Sequence, residues 1–192
     1  MIIEVKAEHT YPVIISNQWS VELSKLLIGR NRAAVIVSEK MQDLVKNFPE
    51  TDTEVLFFPI PDGESGKSSA TLLKIWDWLG AAGFTRSDLI IGIGGGATTD
   101  FAGFAAASWL RGMDWIAIPT TVAGAVDAAI GGKTAINSEY GKNLIGAFHS
   151  PIAVIVDSSW FKTLSDRDFA AGLAEVVKAG FISDGKIIEN IG

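Results

Sequence analysis

The chain has 192 residues, 48% of them hydrophobic and 20% charged, so it holds enough apolar side chains for a packed core and is not a disordered chain. Its formal net charge of −6 comes without runs of Lys or Arg, which predicts no nucleic-acid partner, because nucleic-acid binding depends on neutralising phosphates. It contains no cysteine and two histidines, which excludes disulfides, cysteine-ligated zinc and a thiol nucleophile.

The apolar pattern predicts that strands and helices alternate along the chain. In the first part it predicts strands at 2–7, 11–16, 33–37 and 54–58, and helices at 19–28 and 39–47. It then predicts a turn-rich loop at 61–67, a helix capped by Ser68 or Ser69, strands at 88–93, 115–118 and 152–156, and helices at 101–109 and 166–182. This alternation is typical of an α/β fold with a mostly parallel sheet.

Residues 89–110 are the most membrane-like stretch, but they contain Asp100 and five glycines. A charge in mid-span is costly in a bilayer, and the clustered glycines are typical of a turn. We therefore expect a buried strand, a glycine-rich turn and a buried helix. Because the amino terminus also lacks the features of a signal peptide, we expect a cytoplasmic protein without a membrane partner.

Residues 92–97 (GIGGGA) match the pattern G-x-G-x-x-A between a predicted strand and a predicted helix. In that position the pattern places a pyrophosphate on a helix amino terminus, although glycine-rich turns without a ligand also occur. The following strand ends at Pro119 and Thr120 instead of an acid for a ribose, which argues against the ordinary dinucleotide-binding arrangement. Asp100 either compensates the helix dipole or hydrogen-bonds a cofactor.

Three further features have both a structural and a functional interpretation. Glu64 and Lys67 either form a polar turn or contact a cofactor. Glu39 follows a strand, where an acid either starts a helix or binds a ribose. Glu175 and Lys178 share one helix face, either as an ion pair or as a metal-binding carboxylate with a neighbouring ammonium.

Five segments, in order and at consistent spacing, resemble the 3-dehydroquinate synthase family of the shikimate pathway. They are PDGESGK (61–67), GGGATTDFAGFAAASWLRG (94–112), IPTTVAGAVDAAIGGKTAIN (118–137), GKNLIGAFHSP (141–151) and LSDRDFAAGLAEVVKAGFI (164–182). The sequence departs from the common family pattern by small-residue changes at 97–99 and 128–129. The resemblance implies a Rossmann-like, mostly parallel sheet with flanking helices. It also implies an NAD-binding α/β domain at 1–164 and the start of a helical metal and substrate domain at 165–192.

The resemblance implies a lyase that converts 3-deoxy-D-arabino-heptulosonate 7-phosphate, a small phosphorylated sugar acid, into 3-dehydroquinate and phosphate. It implies NAD and a divalent metal, zinc or cobalt, as cofactors, and a homodimer when the protein is full length. Two histidine ligands and several phosphate contacts of the family have no counterpart here. We therefore expect a truncated chain that keeps the cofactor-binding surface and is inactive alone.

The resemblance also assigns roles to individual positions. The expected catalytic residues are Arg111, which would reach a dimer mate's site, Asp127, Lys133, Asn143 and Lys178. Glu39 is an expected cofactor contact from its place at the end of a strand. The cofactor contacts that the resemblance implies are Asp62, Gly63, Glu64, Lys67, Gly95, Gly96, Ala97, Thr98, Thr99, Asp100, Thr120, Thr121, Lys133, Lys142, Trp160, Phe161, Lys162 and Thr163. Glu175 is the expected metal ligand.

Other functions remain open from the sequence. One is another sugar-phosphate cyclase, for aminocyclitol or valiolone chemistry, and another is a metal-dependent polyol dehydrogenase. A non-catalytic dinucleotide-binding module belongs to a different class. The segments AEVVKAGFI and GKTAIN favour 3-dehydroquinate synthase.

Overall fold

The computed structural model describes residues 1–43, 45 and 48–191. In this part of the chain the strands are β1 (Ile2–Lys6), β2 (Thr10–Ile15), β3 (Arg32–Ser38), β4 (Glu54–Ile60), β5 (Leu89–Gly94), β6 (Asp114–Pro119), β7 (Lys133–Ser138), β8 (Gly141–Phe148) and β9 (Ala153–Val156). The α-helices are α1 (Trp19–Leu27), α2 (Ser69–Ala81), α3 (Gly96–Ser108), α4 (Asp166–Ile182) and α5 (Lys186–Glu189).

Seven strands form one sheet in the order β1-β2-β9-β6-β5-β3-β4. Within the described residues, β1 is antiparallel to β2 and the other neighbouring pairs are parallel. The apolar runs of β3 and β5 are buried along their whole length because both faces of the sheet are covered. This confirms the predicted α/β class, with a mostly parallel sheet and flanking helices.

The core has two layers, one on each face of the sheet. Alternate residues of a strand point to opposite faces, so Ile36 packs with Ile75 and Phe101 on the side of α2 and α3. Val35 packs on the other side with Leu23 of α1. Trp160, which follows β9, lies in this second layer.

The strand order reverses between β3 and β5. From β3 the chain continues to β4 on one side, whereas from β5 it continues to β6 on the other. In open α/β sheets, ligands bind in the crevice at the carboxyl ends of the strands at such a reversal. The topology therefore predicts that a ligand binds at the edge formed by the carboxyl ends of β3 and β5.

A two-stranded antiparallel hairpin, β7 and β8, lies in the connection between β6 and β9. The sequence pattern did not predict it. The hairpin packs on α3 at Gly103, where an added Cβ would collide with the side chains of Thr134 and Trp115. Glycine is required here because it lets the hairpin approach the helix closely.

Two predicted helices differ from the structure by more than one residue at an end. The helix predicted at 101–109 begins at Gly96, because the backbone is still extended at Gly95, which is the N-cap. Of the helix predicted at 39–47, the structure contains a short 3₁₀ turn, Glu39–Met41, while residues 44, 46 and 47 of that prediction lie outside the described residues.

Serine side chains cap the amino termini of two helices. The Ser68 Oγ accepts a hydrogen bond of 3.1 Å from the Thr71 N–H at the start of α2. The Ser165 Oγ accepts one of 3.1 Å from the Asp168 N–H at the start of α4. None of the helices in the described part of the chain combines the length and hydropathy needed to span a bilayer.

Candidate functional site

An open cavity of about 670 Å³ lies between the β5–α3 turn, the loop after β4 and the β7–β8 hairpin. Segments far apart in sequence thus meet at the carboxyl edge of the sheet. The predicted site residues that line the cavity are Glu64, Lys67, Gly96, Ala97, Asp100, Asp127, Lys133 and Asn143.

The glycine turn (Gly94, Gly95 and Gly96) joins β5 to α3 at the base of the cavity. A Cβ on Gly94 would lie 2.6 Å from the Thr98 Oγ1, so α3 starts in close contact with the strand. The first N–H groups of a helix have no partner within it and carry its positive dipole end. Because Gly96 and Ala97 line the cavity, this turn can receive a phosphate group.

The threonines around the glycine turn support its backbone. The Thr120 N–H donates to the Gly94 carbonyl at 2.9 Å, and the Thr121 Oγ1 accepts from the Gly124 N–H at 3.1 Å. Thr98 and Thr99 are buried, and the Thr99 Oγ1 donates to the Gly96 carbonyl at 3.0 Å. The Thr120 backbone and the Thr99 side chain therefore hold the glycine turn from within the protein.

Lys67 and Asp100 form a buried ion pair at the wall of the cavity. The Lys67 Nζ lies 2.7 Å from the Asp100 Oδ2, and 2% of the lysine side chain is exposed. The same ammonium donates to the Asn143 Oδ1 at 2.5 Å. Burial raises the pKa of the Asp100 carboxyl above its ordinary value, and the Lys67 ammonium offsets part of that rise.

Asn137, which local sequence motifs did not predict as a site residue, also belongs to this network. Its Nδ2 donates to the Glu64 Oε2 at 2.7 Å, and its Oδ1 accepts from the Asn143 N–H at 3.0 Å. The signal available in the sequence was its place at the end of the GKTAIN segment.

A second group of charges stands beside the cavity. The Lys178 ammonium pairs with Glu175 on α4 and lies 3.6 Å from the Asp127 Oδ1. The hydrogen bond to Glu175 raises the pKa of Lys178 above its ordinary value. A Cβ on Gly172 would lie 2.6 Å from the Val122 Cβ, so α4 packs closely on the segment that leads to Asp127.

Glu175 alone does not make a metal centre. Across the described ranges, no group of three or more His, Asp or Glu side chains is arranged to hold a metal ion. A catalytic zinc site needs three protein ligands and an open position. The described residues therefore do not fit a complete metal site.

The cavity lining does not include four other predicted cofactor contacts, Lys142, Glu39, Asp62 and Gly63. The Lys142 Nζ is exposed and lies 4.0 Å from the Glu64 Oε1. Glu39 is exposed at the end of β3, and its neighbour Lys40 pairs with Asp62 at 2.7 Å. Gly63 has a φ of +63°, which the turn before Glu64 requires.

The remaining predicted site residues lie outside the cavity. Trp160 is buried against Trp19, with ring centroids 5.6 Å apart, and Phe161 is half-buried. Lys162 and Thr163 are exposed in the same turn after β9. Arg111 is exposed just beyond the carboxyl end of α3, about 20 Å from the glycine turn by the length of that helix.

Known proteins resemble both the sequence and the fold. The family model described as 3-dehydroquinate synthase N-terminal matches residues 57–171. A protein named 3-dehydroquinate synthase from Mycobacterium leprae is 44% identical, over 98% of this chain and 54% of its own length. One with the same name from Streptomyces avermitilis is 47% identical, over 94% of this chain and 51% of its own length. The chain thus spans about half the length of these curated relatives.

Among solved structures, 2-epi-5-epi-valiolone synthase from Streptomyces hygroscopicus, with NAD⁺ and Zn²⁺ bound, superposes with a TM-score of 0.84. It is 27% identical, and the match covers 96% of this chain and 53% of that one. A 2-deoxy-scyllo-inosose synthase, at 24% identity and a TM-score of 0.83, shares the fold. Since the family model covers more than half of the sequence, the chain belongs to the 3-dehydroquinate synthase N-terminal family.

Proposed function

We propose that this chain is the NAD-binding amino-terminal part of a cytoplasmic 3-dehydroquinate synthase. The full enzyme would convert 3-deoxy-D-arabino-heptulosonate 7-phosphate into 3-dehydroquinate and phosphate. The observation that carries the proposal is the cavity in which the glycine turn, Lys67, Asp100 and Asn143 meet. The relatives of that name, at 44% and 47% identity, support this reaction over others.

The chemistry of the residues around the cavity supports NAD as its ligand. The amino terminus of α3 would receive the pyrophosphate, because Gly96 and Ala97 of its first turn line the cavity. A Cβ on Gly96 would lie 3.0 Å from the Ala128 Cβ, so glycine lets the start of α3 lie close to Ala128 at the cavity. Glu39 after β3 and Glu64 in the loop after β4 would accept hydrogen bonds from the ribose hydroxyls.

The cofactor would supply a hydride acceptor for the oxidation of a substrate hydroxyl. The residues of this chain would bind and orient the substrate beside it. Lys133 is exposed at the cavity and can pair with a carboxylate or a phosphate. Asp127 holds Lys178 near the same edge, and Asn143 presents an amide to the cavity.

We propose that Glu175 is one ligand of a divalent metal whose other ligands lie in parts of the full-length enzyme that this chain does not contain. We place the boundary between the NAD-binding domain, 1–164, and the start of the helical domain, 165–192, just before α4. In the full-length homodimer, Arg111 would reach the partner's site, since it is exposed and far from the cavity of its own chain.

Calorimetry with NAD and a phosphate-release assay test these proposals together. We expect the purified chain to bind NAD and to release no phosphate from the sugar-acid substrate. Steady-state phosphate release without an added partner would refute the inactivity of the chain. A folded chain without NAD binding would refute the cofactor role and favour a non-catalytic interaction module.

A second cyclase reaction is the competing proposal. The valiolone synthase, at 27% identity with a TM-score of 0.84, supports an enzyme of the wider sugar-phosphate cyclase group. The glycerol dehydrogenase from Schizosaccharomyces pombe superposes less closely, with a TM-score of 0.65 at 19% identity, which shows the fold alone. Analysis of the product made by the full-length protein decides between the two cyclases.

A further inference from the structure

Asn137 lies on β7 and joins the hairpin to the loop after β4. Its N–H donates to the Lys67 carbonyl at 2.8 Å, and its Nδ2 donates to the Glu64 Oε2 at 2.7 Å. Both partners belong to the loop after β4. Its Oδ1 accepts from the Asn143 N–H at 3.0 Å, which belongs to β8. The backbone and side chain of Asn137 therefore join the hairpin to the loop, and its side chain also joins the two strands of the hairpin.

The bond to Asn143 fixes a backbone conformation that an L-residue seldom adopts. Asn143 has a φ of +58°, in the left-handed region, where asparagine is tolerated better than most residues. In this conformation its Oδ1 accepts from the Lys67 Nζ at 2.5 Å, and Lys67 pairs with Asp100. Asn137 is thus linked to the buried ion pair through Asn143.

Asparagine is suited to this position because its amide carries a donor and an acceptor side by side. The Glu64 carboxylate can only accept, and the Asn143 N–H can only donate, so the amide orientation is determined by its partners. Aspartate would keep the acceptor but would place a second carboxylate against Glu64. Leucine would satisfy neither partner.

We propose that Asn137 is a positioning residue for the cofactor pocket, holding Glu64 and Asn143 where they contact the bound dinucleotide. This inference rests on the proposed NAD binding. Glu64 and Asn143 line the cavity, whereas Asn137 stands outside the described lining residues, so its effect passes through its two partners.

A double-mutant cycle with NAD calorimetry tests this role. We expect Asn137→Asp to weaken NAD binding about tenfold, which corresponds to about 1.4 kcal/mol. In Asn137→Asp/Glu64→Gln, the new amide can donate to the new carboxylate, so the direction of the hydrogen bond is reversed and its geometry restored. We expect this double variant to bind NAD as well as Glu64→Gln alone does.

Two controls separate positioning from general loss of structure. Asn31→Asp makes the same change of charge at an exposed site away from the cavity, and should bind NAD like the wild type. Amide hydrogen exchange of Asn143 without ligand should accelerate in Asn137→Asp and recover in the double variant. Circular dichroism and the melting temperature of each variant report whether the fold is kept.

Each outcome of the cycle has a distinct meaning. If the wild-type chain binds NAD and Asn137→Asp binds it equally well, the positioning role is wrong and the proposed function stands. If the two single effects multiply in the double variant without rescue, the coupling through Glu64 is wrong. If the folded wild-type chain does not bind NAD, the proposed function fails and this inference fails with it.

Discussion

The Lys67 ammonium lies 2.7 Å from the Asp100 carboxylate, with 2% of the lysine side chain and 16% of the aspartate side chain exposed. Removing one partner of a buried ion pair leaves the other charge unpaired in a poorly solvated place. We therefore expect Lys67→Met to lower the free energy of unfolding by about 3 kcal/mol in urea denaturation.

Lys142→Met is the matched control for this variant. Lys142 is 72% exposed and lies 4.0 Å from the Glu64 carboxylate, so its loss should change the free energy of unfolding by less than about 0.5 kcal/mol. Equal stability of the two variants would contradict the structural importance of the buried pair.

The pH dependence of stability should reveal the Asp100 carboxyl. Burial raises its pKa in the folded state above the ordinary value of 3.8. At a pH between 3.8 and the raised pKa, the folded state therefore holds a proton that the unfolded state releases. The free energy of unfolding should therefore fall as pH rises through this window, relative to Asp100→Asn, which does not titrate there. Each unit of pKa shift corresponds to about 1.36 kcal/mol.

Urea denaturation of both proteins at pH values from 3 upward measures this difference. A free-energy difference that stays constant with pH, or one that changes in the opposite direction, would show that burial does not dominate the Asp100 environment.

The glycine turn should not accept a side chain at Gly94. A Cβ there would lie 2.6 Å from the Thr98 Oγ1 and 2.7 Å from the Thr98 Cβ, so the start of α3 must shift. We expect Gly94→Ala to cost about 1–3 kcal/mol of stability and to abolish NAD binding measured by calorimetry.

Gly185→Ala provides the comparison for that substitution. Gly185 has a φ of −57° and open space around the position of a Cβ, so alanine fits without strain. We expect stability equal to the wild type or higher, because alanine restricts the unfolded chain. If Gly94→Ala is as stable as Gly185→Ala, the Gly94 position has room for a side chain and the close contact with Thr98 is wrong.

The amino-terminal cap of α2 can be assigned to one serine. The Ser68 Oγ accepts from the Thr71 N–H at 3.1 Å, whereas Ser69 is the exposed first residue of the helix. Ser68→Ala should lower the unfolding free energy by about 1 kcal/mol, and Ser69→Ala should change it by a few tenths of that amount. The reverse order would place the cap at Ser69.

Most of the sheet could be predicted from the sequence because its strands are buried on both faces. The runs AAVIV in β3 and LIIGI in β5 are apolar at every position, which is typical of parallel strands under helices. The β7–β8 hairpin has no such signature. It lies on α3, outside the main sheet, and β8 is exposed along most of its length, so its residues show no buried strand pattern.

Local spacing predicted the candidate site only where its residues lie within one motif, whereas the family resemblance supplied lining residues from several segments. The glycine turn and the pair of Glu175 and Lys178 could be recognised from local spacing. The pair of Lys67 and Asp100 could not, because these residues are 33 positions apart and meet only after the sheet has formed. Asn137 was missed for the same reason, since its partners come from two other segments.

The connection between β6 and β9 joins two neighbouring parallel strands, yet it carries Asp127, Lys133 and Asn143 to the cavity. Both of its ends are fixed in the centre of the sheet, so the size of the cavity is linked to the length of this one connection. Residues 139 and 140 form its exposed outer tip. We expect added residues at that tip to lengthen the hairpin while β6 and β9 stay in place, so the hairpin can change in extent without disturbing the central sheet.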